Sequence, residues 1–219
     1  MALKNLFLFS SLLILNFVGY AQKRAPKLDT NYTKSTTISI NHDMAIVPMV
    51  FPVPTPIGEP VEIKNRSARH YSTAFDELVA QGYRPIKVEV KQLNVIDVTD
   101  GEKPRLGYWA TLQKYQNDYA WVARHALSAE KYQQEFDIWT QQGYMPTSIG
   151  LGAVRGGEEA YSVIFEKVPN APAWVARHGL SSDAFNTENE ALLKQGYKLK
   201  CQVSCIKYIN PIYAAIWVK

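Results

Sequence analysis

A nine-residue string occurs twice almost letter for letter, Ala120-Trp121-Val122-Ala123-Arg124-His125-Ala126-Leu127-Ser128 and Ala173-Trp174-Val175-Ala176-Arg177-His178-Gly179-Leu180-Ser181, with starts 53 residues apart. A match of that length containing Trp, Arg and His marks an internal repeat. A chain built on such a period folds as units that bury their apolar faces against one another.

Three copies align on four anchors. A Ser in the N-cap slot comes first, at Ser67, Ser128 and Ser181; such a cap is worth about 1 kcal/mol. Apolar residues follow at i, i+4 and i+7: Tyr71, Phe75 and Leu78; Tyr132, Phe136 and Trp139; Phe185 and Leu192 with Asn189 in the middle slot. That stripe predicts an amphipathic helix of about four turns in each copy. Each helix then meets Gln-Gly-Tyr, at Gln81-Gly82-Tyr83, Gln142-Gly143-Tyr144 and Gln195-Gly196-Tyr197, where the Gly supplies a left-handed stop.

Two extended runs follow each Gly, the second being Tyr108 to Lys114, Tyr161 to Lys167 and Tyr213 to Lys219. From Gly to that Tyr the chain takes 26, 18 and 17 steps in copies one, two and three. Ile86, Val88 and Val90 alternate onto one face, as do Ile149, Leu151 and Ala153, and then Leu199, Cys201, Val203 and Cys205. These faces superpose if copy three lacks one residue just after its Tyr, where the others carry Pro85 and Pro146. A one-residue slip turns every side chain over, so a proline-associated bulge is expected in copies one and two, with both cysteines on the core face. The connecting loops differ most: Asn94 to Gly107, then Arg155-Gly156-Gly157-Glu158, then a turn near Asn210-Pro211. Variable loops on a constant scaffold are where binding specificity sits. The expected fold is an α/β (α+β) repeat, three strand-helix-strand-strand units stacking helices on largely antiparallel sheet, over residues 61–115, 119–168 and 172–219.

Ahead of the repeats, residues 1–21 read as a secretory signal peptide, with Lys4, an apolar run from Leu6 to Val18, and Gly19-Tyr20-Ala21 before a cleavage point between Ala21 and Gln22. The mature chain is expected to be secreted or periplasmic and to lack a membrane span. Residues 22–60 form an arm dense in proline near its end, at Pro48, Pro52, Pro54, Pro56 and Pro60, which excludes helix and central strand. With 47% hydrophobic and 20% charged residues the composition is that of a packed globular protein. The net charge of +4 is spread without Lys/Arg runs, so no nucleic-acid partner is expected. Cys201 and Cys205 on one strand would sit about 13 Å apart, beyond the roughly 7 Å that a disulfide spans. Buried thiols are one reading of them; an intermolecular bridge or a reactive thiol is the other.

In an extended Trp-Val-Ala-Arg-His segment, Trp, Ala and His share one face while Val and Arg take the other. Arg124, His125, Arg177 and His178 either join the repeat interface, with Trp121 and Trp174 under the helix, or line a groove that binds an anionic or peptide ligand. In copy one the same slots hold Pro60-Val61-Glu62-Ile63-Lys64, and Arg69-His70 falls within the helix. Ser128-Ala129-Glu130-Lys131 matches the Ser-x-x-Lys of serine acyl enzymes. However, Ser128 is the N-cap, and Ser67 and Ser181 have His70 and Ala184 where the Lys would be. The four His lack metal-ligand spacing, and no calcium loop or cofactor motif occurs, so no metal or cofactor is expected.

Together the repeated Trp-x-Ala-Arg-His-x-Leu-Ser, the helix stripe, Gln-Gly-Tyr and the closing Tyr213-Ala214-Ala215-Ile216-Trp217 resemble the bacterial tandem repeat domain. That family is similar to the N-terminal repeat region of secreted fungal polyglycine hydrolases, where the repeats precede a beta-lactamase-like domain. The resemblance covers Val61 to Lys219, is degenerate in copy one, and does not include the hydrolase domain. It implies an extracellular module without catalytic residues of its own. The expected function is non-catalytic recognition of an extracellular peptide, glycan or protein. The alternatives are a serine hydrolase using Ser128 and Lys131, and a structural assembly subunit.

Overall fold

The computed structural model describes residues 53–93, 106–154, 157 and 159–219; the expected signal peptide, residues 1–21, and residues 22–52 of the expected arm lie outside them. In chain order the elements are β1 (Pro56–Arg66), α1 (Ala68–Ala80), β2 (Arg84–Gln92), β3 (Leu106–Tyr115), β4 (Trp121–Leu127), α2 (Ala129–Gln141), β5 (Met145–Ala153), β6 (Glu159–Glu166), β7 (Trp174–Leu180), α3 (Ser182–Lys194), β8 (Lys198–Lys207) and β9 (Asn210–Val218). They form three helices and three antiparallel sheets, ordered β1-β3-β2, β4-β6-β5 and β7-β9-β8. Each unit is strand, helix, strand, strand, and its last strand lies in the middle of its sheet.

The punctuation read from the sequence acts as expected. Ser128 and Ser181 are N-caps whose hydroxyls accept from the N–H groups of Lys131 and Ala184. Ser67 holds the same slot with no side-chain cap bond; its Oγ lies 3.3 Å from His70 Nδ1 instead. Gly82, Gly143 and Gly196 sit at φ +87°, +82° and +85° just past the helix ends. Beyond each, the Tyr N–H returns to a carbonyl of the last helical turn, as from Tyr144 to Trp139 at 3.0 Å. The Gly therefore allows a paired hydrogen-bonded stop that no β-carbon would tolerate cheaply.

Each repeat also carries a bulge that composition does not announce. β4 shifts register against β6 between Arg124 and Leu127, β7 shifts against β9 between Arg177 and Leu180, and β1 shifts between Ile63 and Arg66. The residues that turn there are left-handed: Asn65, Ala126 and Gly179, at φ 51°, 54° and 67°. β1 begins at Pro56, inside the stretch assigned to the arm. It is an edge strand, the position that prolines permit, and Pro60 falls within a further register shift.

The expected proline-specific bulge needs correction. A register shift follows the Gly-Tyr turn in all three copies, between Pro85 and Lys87, Pro146 and Ser148, and Leu199 and Cys201. The helix stop sets this exit path, and it is the same in each repeat whether or not proline follows. Copy three is shorter in its hairpin, where Lys207 pairs with Asn210 and only Tyr208 and Ile209 turn the chain, directly ahead of the Asn210-Pro211 pair near which the turn was expected. Ile86 becomes the bulged, exposed residue and leaves the face of Val88 and Val90. Cys201 then superposes on Ser148 rather than on Ile149, so the thiols face repeat 2 and Gln202 and Ser204 face the side of α3.

Packing follows from those faces. Val88, Val90, Tyr108, Ala110 and Leu112 of the first sheet meet Tyr71 and Phe75 of α1 on one side, and Trp121, Ala123 and Ile164 of repeat 2 on the same apolar layer. Ile149, Leu151, Val163 and Phe165 repeat the arrangement with Tyr132 and with Ala176, Ala214 and Ile216 of repeat 3. α3 closes the stack over Ala215 and Trp217. Asn189, the odd member of the helix stripe, accepts from Trp217 Nε1 at 2.9 Å.

Sheets approach most closely along β2, β5 and β8. A β-carbon on Gly150 would lie 3.0 Å from Glu89 Cα, and Ser148 Oγ accepts from the Val88 N–H at 3.2 Å. The two ends of the stack differ from its middle. The outer face of the first sheet is charged, with Glu62 on Lys64 and Glu89 between Lys87 and Lys91. At the other end Gln202 and Ser204 occupy the slots of Ile149 and Leu151 and are exposed.

Two substitutions test this geometry with opposite signs. Gly150→Ala forces β5 away from β2 and is expected to destabilise the protein by about 1–3 kcal/mol. Ala126→Gly relieves a left-handed alanine and is expected to stabilise it by about 0.5–1 kcal/mol, the left-handed cost less the chain entropy of Gly. Urea denaturation of each variant measures both.

Candidate functional site

The alternation in β4 and β7 sends the repeated Arg and His to different neighbours. Arg124 Nε donates to Glu135 Oε2 at 2.8 Å, and Trp139 Nε1 donates to the same oxygen at 2.8 Å. The Arg124 guanidinium also lies 5.3 Å from the centre of the Trp139 ring. This arginine ties its strand to its own helix. Arg177 repeats the bond with Glu188 at 3.0 Å, but its side chain is 51% exposed against 9% for Arg124.

The histidines instead face the preceding repeat. His125 sits edge-on to Tyr71 at 4.9 Å and to Tyr108 at 6.1 Å, with Ser72 Oγ 3.3 Å from Nε2. His178 sits edge-on to Tyr132 at 4.7 Å and to Tyr161 at 5.6 Å. Its Nε2 donates to Gln133 Oε1 at 2.7 Å, which assigns the neutral ring's proton to Nε2. A phenol from a helix, a phenol from a central strand and an imidazole from the next repeat thus form one node at each junction. Trp121 and Trp174 share the histidine face, with Trp174 5.9 Å from Phe136 of the preceding helix. Arg and His therefore leave their strand on different faces, Arg toward its own helix and His toward the preceding repeat.

Burial controls the protonation of these nodes. It pushes the Tyr71, Tyr132 and Tyr161 phenols well above their ordinary range and holds Tyr108 at about 12. The same cause, with Arg124 adding repulsion, lowers His125 to about 4. His178 is lowered by burial, and Glu159 and Asp137 oppose that shift. Cys205 is raised to about 11 by burial, then by Glu159. Both cysteines are free and half-buried, and Cys201 Sγ lies 3.9 Å from the Ile149 carbonyl of repeat 2.

The first junction contains a second polar feature. Arg84 Nη1 reaches Asp118 at 3.0 Å and Glu166 at 3.3 Å, while its guanidinium stacks 4.2 Å from the Tyr115 ring. Thr147 Oγ1 donates to the other Glu166 oxygen at 3.0 Å. In repeat 2 the equivalent of Arg84 is the buried Met145, so the second junction is apolar at this point.

Ser128 and Lys131 do not form a nucleophile and base. The Ser128 hydroxyl caps the helix by accepting from the backbone N–H of Lys131 at 3.3 Å, and Lys131 Nζ donates to Gln134 Oε1 at 2.9 Å. Among the described residues no group of three or more His, Cys, Asp or Glu is placed to hold a metal. Among those residues no helix is long and apolar enough to cross a membrane.

One surface feature escaped the reading of the sequence. At the β8–β9 hairpin Ile206, Tyr208 and Ile209 are 58%, 63% and 87% exposed, and Tyr208 is left-handed at φ 58°. Lys207 beside them pairs with Glu159. The run Ile206-Lys207-Tyr208-Ile209 announced it, but it looked like strand until the register placed the turn inside it.

Burial separates the two arginines experimentally. Arg124→Ala leaves Glu135 buried without its cation and is expected to cost about 3 kcal/mol. Arg177→Ala breaks a half-exposed pair and is expected to cost under about 1 kcal/mol. Thermal or urea unfolding of both variants checks the difference.

The family model for the polyglycine hydrolase-like structural repeat matches residues 61–92, 118–168 and 171–219. No curated protein matches the chain. The three matched segments each carry a helix begun at Ser and ended by the Gly stop, the second and third also carry the central last strand, and the chain belongs to the polyglycine hydrolase-like structural repeat family.

Proposed function

We propose that this tandem-repeat module works outside the cell as a non-catalytic recognition element, binding an extracellular peptide or glycan through the hairpin ends of its sheets. The observation that carries the reading is the β8–β9 tip. Isolated exposed apolar residues are ordinary, but three large ones within four residues form a patch that water solvates poorly. Tyr208 adds backbone strain of order 1 kcal/mol, and it contributes nothing to the core in return. The packing supports the reading from the other side, because the repeated Arg and His are engaged with helix and neighbouring repeat while the β8–β9 tip is not. Two isoleucines beside a tyrosine favour an apolar peptide segment over a glycan, since the aliphatic side chains offer a sugar no hydrogen bonds and Tyr208 is the one flat face at the tip.

A peptide and glycan array probed with the wild-type chain and Ile209→Ser tests this. Ile209 lies outside the core, so the variant is expected to unfold with the wild type while its array signal falls at least about tenfold. An unchanged signal would remove the tip from the binding surface.

A further inference from the structure

Each sheet has an edge strand after its helix, and the first two of these edges are covered by the following repeat. In β2 the Val88 N–H points away from its own sheet and donates to Ser148 Oγ of β5 at 3.2 Å. In β5 the Ile149 carbonyl points the same way and accepts from Cys201 Sγ of β8 at 3.9 Å. β8 is the third edge of the series. Gln202 stands opposite Ala215 as Ile149 stands opposite Val163 and Val88 opposite Ala110. Its N–H and C=O therefore point outward, and antiparallel alternation gives Ser204 and Ile206 the same orientation. All three residues are exposed, and among the described residues no side chain bonds to this edge.

The cations along the edge indicate the chemistry of its occupant. Arg84, Met145 and Lys198 hold one slot, just past the Gly-Tyr turn of each repeat. Arg84 takes two carboxylates from the repeat that covers its edge, Asp118 at 3.0 Å and Glu166 at 3.3 Å. Lys198 is exposed in the same slot with Lys200 exposed beside it, and neither has a carboxylate partner among the described residues. Lysine on an edge deters pairing with a neutral or basic strand, β8 of a second copy included, whereas an acidic strand is attracted. Exposed Ile206 marks the other end of the edge. We propose that β8 binds an extended peptide as a fourth strand of its sheet, with an acidic residue of the peptide at Lys198 and Lys200 and an apolar one at Ile206. This rests on the reading that the β8–β9 tip binds peptide, and it adds a backbone ladder and an acid that the tip alone does not specify. Main-chain bonds to Gln202, Ser204 and Ile206 supply the affinity, and the side chains at the two ends select the sequence.

A display library of peptides as long as β8, ten residues, panned on the full chain supplies the probe. Selected peptides are expected to carry Asp or Glu toward one end and apolar residues toward the other. Bound, they slow hydrogen exchange at the Gln202, Ser204 and Ile206 amides and leave Cys201 and Val203, which face β9, unchanged. Ser204→Pro deletes one outward N–H at a position where an edge strand tolerates proline, and Lys198→Glu reverses the charge. Each is expected to weaken binding at least about tenfold. Should Ser204→Pro fail to fold, Lys198→Glu and the exchange pattern decide. Binding that falls in Ile209→Ser but in neither edge variant keeps the tip and overturns the edge; the reverse pattern keeps the edge and removes the tip. The proposal is also overturned if no peptide is selected, or if the selected peptides leave the three amides exchanging. Protection of those amides in the free chain, with the edge already taken by another part of the chain or by a second copy, overturns it as well.

Discussion

The middle sheet carries apolar side chains on both faces, and in each repeat a single helix covers only part of one face. The uncovered remainder, Ala110 and Val90 in the first sheet or Val163 and Ile149 in the second, has to meet the back of the next sheet. That requirement makes the repeats interdependent, as expected for arrays whose units cannot close a core alone. It also explains why β5 carries glycine at positions 150 and 152: the β2 backbone and Val90 approach there, and a β-carbon would meet them at 2.8–3.1 Å. On the opposite side the sheets splay, and the space is filled by Trp121, Trp174 and the histidine nodes.

Much of this was legible in the sequence because local signals agreed with one another. Serine caps, helix stripes and the Gly-Tyr stop fixed three helices, and the face assignment of Trp-Val-Ala-Arg-His followed from simple alternation. The errors have physical causes. Proline looked like the origin of the bulge at Pro85 and Pro146, yet the helix exit imposes it equally on Leu199 and Lys200. The missing residue of copy three was placed there and belongs in the hairpin; the cysteines do pack on a core, as expected, but it is the core shared with repeat 2 and not the side of their own helix. The left-handed positions Asn65, Ala126 and Gly179 were invisible because only one of them is a glycine. The partners of Arg and His could not be read at all, since Glu135 and Tyr71 come near them only through tertiary packing.

The node residues vary in a way that follows from their neighbours. In repeats 1 and 2 the helix supplies Tyr71 and Tyr132, and each faces a histidine from the next unit. In repeat 3 the same slot is Phe185, stacked on Tyr213 at 4.9 Å, and among the described residues no histidine ring meets it. A phenol at a junction provides a polar edge for an imidazole; without that imidazole the hydroxyl would be an unpaired buried group, and the phenyl ring is the cheaper occupant.

The polar ends of the stack determine how the molecule can associate. A second copy approaching head to tail would set Gln202 and Ser204 against Lys87, Glu89 and Lys91, and would bury charges where the internal junctions bury valine and isoleucine. The rule that joins the repeats therefore lacks its apolar contact between these two described faces. The sequence differences between equivalent strands confine that contact to the two interfaces among the three described repeats.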